Sequence, residues 1–223
     1  MARNKYPEET VDKIMDVSTK LFLEKGFENT SMQDIVDGLG GLSKGAIYHH
    51  FKSKDDILVA VMDKIYMGHD NEWDAIQKID DDSTGLEKLK AVFEASIYNE
   101  RQDEVFSMAP NFIKNPQMLA LQIKGIYEES APKFLQPIIE QGVADGTIET
   151  GYPKELAEVI LLLINIWLTP VAHESGSKGL PGRIGFFREM LDKLGLPIFD
   201  DDMYQRIEEM AKMYDRKEQG ATQ

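Results

Sequence analysis

Nearly every stretch of the chain repeats its apolar residues at helical spacing. Val11, Ile14, Met15, Leu21 and Phe22 fall at i, i+3, i+4, i+10 and i+11, and Ser18 takes the i+7 place, where a small side chain lets a neighbouring helix come close. Pro7, Glu8 and Glu9 suit the start of this helix and Gly26 its end. The run Thr30 to Gln33 has capping-box spacing, and Met32, Ile35, Val36 and Leu39 make the stripe of a second helix. Gly38, Gly40 and Gly41 predict a tight turn after it. Ser43 then caps a third, very short helix that ends at Phe51. The run Ser53 to Asp56 opens a fourth, with Ile57, Leu58, Val61 and Met62 on one side.

The helical period continues to the end. Leu86 to Asn99 is amphipathic through Leu89, Val92, Phe93 and Ile97. A short helix near Asp103 to Ile113 holds Pro110, which bends or breaks it. A long segment from Pro116 to Val143 holds Pro132 and Pro137, and the same argument predicts a break or kink there. Pro153 starts a helix whose apolar run, Val159 to Leu168, is interrupted by Asn165. That run is too short to span a bilayer and reads as a buried core helix. Two helices follow near Arg183–Leu194 and Asp201–Arg216, the last offering Met203, Ile207, Met210 and Tyr214 at helical spacing. No period-2 alternation is sustained anywhere, and no internal repeat is visible, so the fold class is all-α.

Composition narrows the function classes. The 223 residues suffice for two small domains, and hydrophobic residues, at 42%, suffice for a core. The chain has no cysteine, which excludes a disulfide framework, a Cys-ligated metal and a thiol nucleophile. The N-terminal residues carry no apolar stretch, so no secretory signal, no membrane partner and a cytoplasmic location are expected. A net charge of −14 argues against nucleic acid as a partner, but the charge is uneven. Residues 1–66 carry net −2 and residues 67–223 net −12. From Gly38 to Lys54 there are three lysines, two histidines and no acid, a local face on which a polyanion can dock.

Three short helices in about 50 residues, with a glycine turn between the second and third, have helix-turn-helix layout. Ile47 and Phe51 lie four apart and can pack inward. Ser43, Lys44, Gly45, Ala46, Tyr48, His49 and His50 are then left outward, a set of small, cationic and aromatic groups that suits a major groove. Lys54 lies in the first turn of the fourth helix, where backbone N–H groups favour a phosphate.

These runs, TSMQDIV from Thr30 and LSKGAIYHHFKSKDDIL from Leu42 to Leu58, together with LFLEKGF from Leu21 to Phe27, resemble the DNA-binding signature of the TetR/AcrR family of transcriptional regulators. The resemblance covers about residues 8–68. The Gly38–Leu42 turn is one residue longer than the family's usual turn. The resemblance implies a helix-turn-helix DNA-binding domain over residues 1–66 and a helical ligand-binding and dimerisation domain over residues 67–223. It implies a homodimer on double-stranded DNA, acting as a repressor that a small effector releases from a palindromic operator. It assigns Thr30 and Lys54 to phosphate contact, and Ser43, Lys44, Gly45, Ala46, Tyr48 and His49 to the recognition face.

Candidate effector contacts come from the bulky residues of the second domain. Phe93, Ile97, Phe112, Met118, Ile123, Tyr127 and Trp167 can line a cavity, with Phe106 and Met108 near them and Asn99, Gln122 and Asn165 as polar contacts. Their chemistry favours a lipophilic effector; each taken alone is as well explained as core. No cofactor is called for. Gly41 to Gly45 matches the letters of a GxSxG nucleophile elbow, but no strand feeds Ser43, and no P-loop or HExxH is present, so an enzyme is not expected. His49 and His50 are adjacent and diverge by about 100° on a helix, which argues against a metal pair. The rival reading is a helical protein-interaction module without DNA binding, and the acid-free Gly38–Lys54 stretch speaks against it.

Overall fold

The computed structural model describes residues 7–41, 44–67, 82–98, 108–174 and 176–220. Among them are helices and turns and no strand. The first helix, α1 (Pro7–Lys25), stops at Gly26, whose φ of +81° is a left-handed conformation that a side chain would strain. The Thr30 hydroxyl turns inward and donates to the carbonyls of Gly26 at 2.8 Å and Leu21 at 3.3 Å, leaving the residue 1% exposed. The capping box therefore sits one residue later than the sequence suggests. Ser31 caps α2 (Met32–Gly38), its hydroxyl accepting the Asp34 N–H at 3.1 Å while the Asp34 carboxylate accepts the Ser31 N–H at 2.8 Å. The physical reason is competition: the end of α1 needs a donor for its free carbonyls, and Thr30 supplies it.

Gly40 and Gly41 turn the chain with φ of +52° and +132°, and Leu42 and Ser43 lie outside the described residues. The short helix α3 (Lys44–His50) follows, then α4 (Lys54–Met67). Ser53 caps α4: its hydroxyl accepts the Asp56 N–H at 3.1 Å, and Asp56 accepts the N–H groups of Lys52 and Ser53. Lys64 of α4 reaches Asp12 at 3.1 Å and Asp16 at 3.3 Å on α1, holding the two helices side by side.

The second part opens with α5 (Gly85–Tyr98). Residues 101–107, and with them the first part of the short helix predicted near Asp103–Ile113, lie outside the described residues; the helix ends at Met108, ahead of Pro110, and 112–114 form a turn. From Pro116 the chain runs as α6 (Pro116–Gly125), a π-helical segment (Ile126–Leu135) and α7 (Gln136–Asp145). Of the break or kink predicted at Pro132 and Pro137, the chain shows no break: the helix departs from α geometry into a π coil around Pro132 and continues. A proline ring clashes with the carbonyl four residues back in an α-helix, and the wider π coil, bonded five apart, moves that carbonyl away from Pro132. Pro137 lies in the first turn of α7, where proline is tolerated. Next come α8 (Pro153–Leu162) with a π turn (Leu163–Trp167), a 3₁₀ turn (Pro170–Ala172), α9 (Leu180–Lys193) and α10 (Asp201–Gly220).

Two hydrophobic cores result. The first gathers Leu89, Phe93, Leu135, Ile139, Ile160, Ile184 and Phe187 among others, and α5 packs on α7 within it. That crossing is close: a Cβ on Gly85 would stand 2.1 Å from the Gly142 nitrogen. Met203 and Met210 of α10 are buried in the chain, 0% and 5% exposed, so the apolar face of the last helix is already used inside the subunit. The second core joins Ile14, Phe22, Phe27, Ile35, Ile47, Phe51 and Leu58 from α1–α4. It also takes in Met108, Phe112, Met118 and Val171 from the second part of the chain. At roughly 1.5–3 kcal/mol per large apolar side chain buried, those four residues bind the two parts firmly.

Candidate nucleic-acid interface

Ile47 (0% exposed) and Phe51 (8%) hold α3 against the second core, the one built on α1–α4, and this choice of inward residues fixes what faces out. Lys44, Gly45, Tyr48 and His49 are exposed and Ala46 partly so. The Lys44 ammonium lies 5.8 Å from the centre of the Tyr48 ring, and the rings of His49 and His50 meet edge to face at 5.2 Å. Gly45 and Ala46 leave the middle of this surface low, so a groove wall can come close. Ser43 lies outside the described residues.

Beside α3, the N-termini of α2 and α4 border one open depression of about 520 Å³ between Asn29–Met32 and Lys52–Asp55. The positive dipole end of each helix lies at this depression, which favours an anion, although Glu28 and Asp55 also line it. The exposed Ser31 and Lys52 sit on its rim. Lys52 is one of the three lysines of the acid-free stretch; Ser31 was not singled out from sequence, because its neighbour Thr30 offers the same hydroxyl.

Lys54 and Thr30 take other positions. The Lys54 ammonium donates to the carbonyls of Phe27 at 2.8 Å and Thr30 at 3.0 Å, comes within 3.4 Å of that of Glu28, and lies 4.2 Å from the centre of the Phe27 ring. It locks the α1–α2 turn to the start of α4. Thr30 is buried beneath the same turn. On the rim of α2, the Lys25 ammonium, at 2.7 Å, and then the Ser31 hydroxyl and N–H hold the Asp34 carboxyl well below the usual carboxylate range.

The candidate effector residues are divided between the two cores. Phe93 and Ile97 are buried in the second-domain core, and Trp167 packs on it with its ring edge-on to Phe186 at 5.9 Å. Phe112 and Met118 lie in the other core, with Met108. Ile123 is half-buried, and Tyr127 is 45% exposed. The Gln122 amide donates to Asn165 at 3.4 Å, and the Asn165 amide donates to the Leu161 carbonyl at 3.0 Å, a polar bridge from α6 to the second π turn. Asn99 and Phe106 lie outside the described residues. Among the described residues, no group of three His, Asp or Glu side chains is placed to hold a metal, and no helix is long and apolar enough to cross a membrane.

Comparison with known proteins agrees with this geometry. Residues 14–61 match the model of bacterial regulatory proteins of the tetR family. The chain is 40% identical over 158 residues to the HTH-type transcriptional repressor KstR2 of Rhodococcus jostii, covering 65% of this chain and 70% of that protein. It is 28% identical over 148 residues to the repressor KstR2 of Mycolicibacterium smegmatis, covering 65% of this chain and 70% of that protein. Among solved structures, a TetR-family transcriptional regulator from Pectobacterium atrosepticum superposes with a TM-score of 0.61 at 23% identity, over 86% of this chain and 97% of that one.

Proposed function

The chain belongs to the tetR family of bacterial regulatory proteins and is a ligand-responsive DNA-binding regulator; from that premise we propose that it is a repressor which a small lipophilic molecule releases from a palindromic operator. The observation that carries the reading is the exposed, acid-free face of α3 beside two helix N-termini. Lys44, Tyr48 and His49 read base edges and phosphates, Gly45 and Ala46 give room, and Ser31, Lys52 and the first-turn N–H groups of α2 and α4 hold the backbone. Lys54 and Thr30 support these contacts from below by fixing the α1–α2 turn.

The protein acts as a homodimer in the cytoplasm. Support comes from α8 and α9, where Val159 and Phe186 are 45% and 60% exposed although apolar. Gly182 and Gly185 beside Phe186 are open, with nothing within 4 Å of an added Cβ, so a second helix can approach closely. The last helix, with its methionines buried, is not part of this face. The effector's place is the partly buried apolar surface of Leu163, Ile164 and Trp167, with the Gln122–Asn165 bridge as its polar contact.

The test is an electrophoretic mobility shift with the DNA upstream of the protein's own coding region, against a random duplex of equal length. Selective retardation of the upstream fragment, and its loss in the Lys44→Ala variant, is the expected result. Equal retardation of both duplexes sinks the specific reading, and no retardation sinks DNA binding altogether.

A further inference from the structure

The turn that Lys54 locks to α4 is held from its other side by the second domain. Glu28, half-buried in that turn, accepts the backbone N–H of Asn111 at 3.3 Å and the side-chain amide of Asn115. Asn115 stands at the N-cap of α6, yet its side chain does not cap that helix. Its amide is engaged by Glu28 and by the Asn111 carbonyl at 3.1 Å. Asn111 is 9% exposed, and its side-chain oxygen accepts the N–H groups of Ile113 at 2.9 Å and Lys114 at 3.2 Å, which closes the connection into a tight turn. On the far side of this turn the Phe112 N–H donates to the Val171 carbonyl at 2.8 Å, just beyond the second π turn. Residues 111–115 are thus bonded at once to the DNA-reading domain, to the segment that follows α8, and through the chain to α6.

We propose that the Glu28–Asn115 bond is a positioning contact that sets the angle of the DNA-reading domain on the effector domain. It is a polar connection between them, separate from α4 and beside the shared apolar core, and it ends three residues before Ser31, the cap of α2. The proposal rests on the reading of the protein as a dimeric operator-binding regulator. In a dimer the two reading domains must meet two major grooves a fixed distance apart. Loosening the angle of each leaves either domain able to read one half-site but lowers the chance that both fit together. A charge-assisted hydrogen bond between part-buried groups is strong enough to hold such an angle.

The exchange of donor and acceptor tests it. Asn115→Asp keeps the shape and suits the helix N-terminus better than asparagine, so the fold is kept, but it places a second carboxylate against Glu28 and opens the bond. The probes are the upstream fragment trimmed to the wild-type footprint and a duplex carrying one half of it. Asn115→Asp is expected to weaken full-site binding about tenfold and leave half-site binding within about threefold. Adding Glu28→Gln restores the bond between residues 28 and 115 with donor and acceptor reversed, although not the bond to the Asn111 carbonyl, and full-site affinity is expected to rise at least about threefold above that of Asn115→Asp alone. Equal loss on both probes, or no rescue by the double variant, overturns the proposal while the regulator reading stands. Failure of the wild type to bind either probe overturns both.

Discussion

Lys54 illustrates how a cation beside a proposed DNA interface can be turned inward. Its charge is engaged by three carbonyls and an aromatic ring, so replacing it removes structure rather than a phosphate contact. Lys54→Met is expected to cost about 1–3 kcal/mol of stability and to leave the slope of log affinity against log salt unchanged. Lys52→Ala is expected to do the reverse, leaving stability alone and reducing the salt slope by about one per subunit. Chemical denaturation and a salt titration of DNA binding on the two variants separate these outcomes. Asp34 carries a pH dependence of known sign. Its folded-state value is lowered by Lys25 and Ser31, so its contribution is fully present above the ordinary carboxylate value of 3.8 and is lost as pH falls through the lowered value. Asp34→Asn should therefore lower the melting temperature at neutral pH, and the difference from wild type should shrink at about pH 2.5. A constant difference at both values would contradict the assignment. The outward placement of Lys44, Gly45, Tyr48 and His49 was legible, because Ile47 and Phe51 can face only one way at a spacing of four. The sequence could not decide between Thr30 and Ser31, since both hydroxyls can cap and only the free carbonyls at the end of α1 choose.

Among the elements, helices were legible throughout because their apolar spacing is regular, and Gly26 and Ser53 mark ends that the chain uses. The π segment was not legible. Pro132 reads as a break in a bonding pattern four residues apart, and nothing in its neighbours signals that the pattern widens instead. The α5–α7 crossing was equally hidden. Gly85 and Gly142 lie far apart in sequence and nothing around either signals the other, but together they let two backbones touch. An added Cβ at Gly85 would stand 2.1 Å from the Gly142 nitrogen and 2.3 Å from its Cα, atoms that cannot swing aside. At Gly142 the obstacle is the Ile148 side chain at 2.5 Å, which can shift. Gly85→Ala is therefore expected to cost about 3 kcal/mol or more, and Gly142→Ala about 1–3 kcal/mol. Urea midpoints at unchanged m-value are the measurement, and a smaller loss at Gly85 than at Gly142 would contradict the packing argument.

At the scale of the whole molecule, the helix-turn-helix layout and the uneven charge suggest a DNA-reading part and a second helical part. Which core each later residue joins was not readable. Met108, Phe112 and Met118 were placed with the effector because they follow the sequence of that domain, yet they complete the core of the other one. A buried apolar side chain announces that it is buried and does not announce against what. The covered face of α10 is the same lesson: Met203, Ile207 and Met210 form a stripe that suits a partner helix, and the partner is within the subunit. Assembly through α8 and α9 predicts that Val159→Asp, at a position 45% exposed, halves the mass in light scattering at micromolar concentration. The melting temperature should change little, and full-site DNA binding should fall far more than half-site binding. A dimer mass for that variant would move the interface elsewhere.

The bond from the Phe112 N–H to the Val171 carbonyl has a practical consequence. It ties two stretches of the second part almost sixty residues apart, both packed on the core of α1–α4, so its proton can exchange with deuterium only when the joint between those two stretches parts. A single amide resonance thereby becomes an internal clock for the opening of the joint, readable in the unmodified chain. Because the sequence contains no cysteine, a thiol introduced on either side of that joint would be unique in the protein, and a spin label attached there would measure the distance that the clock only times.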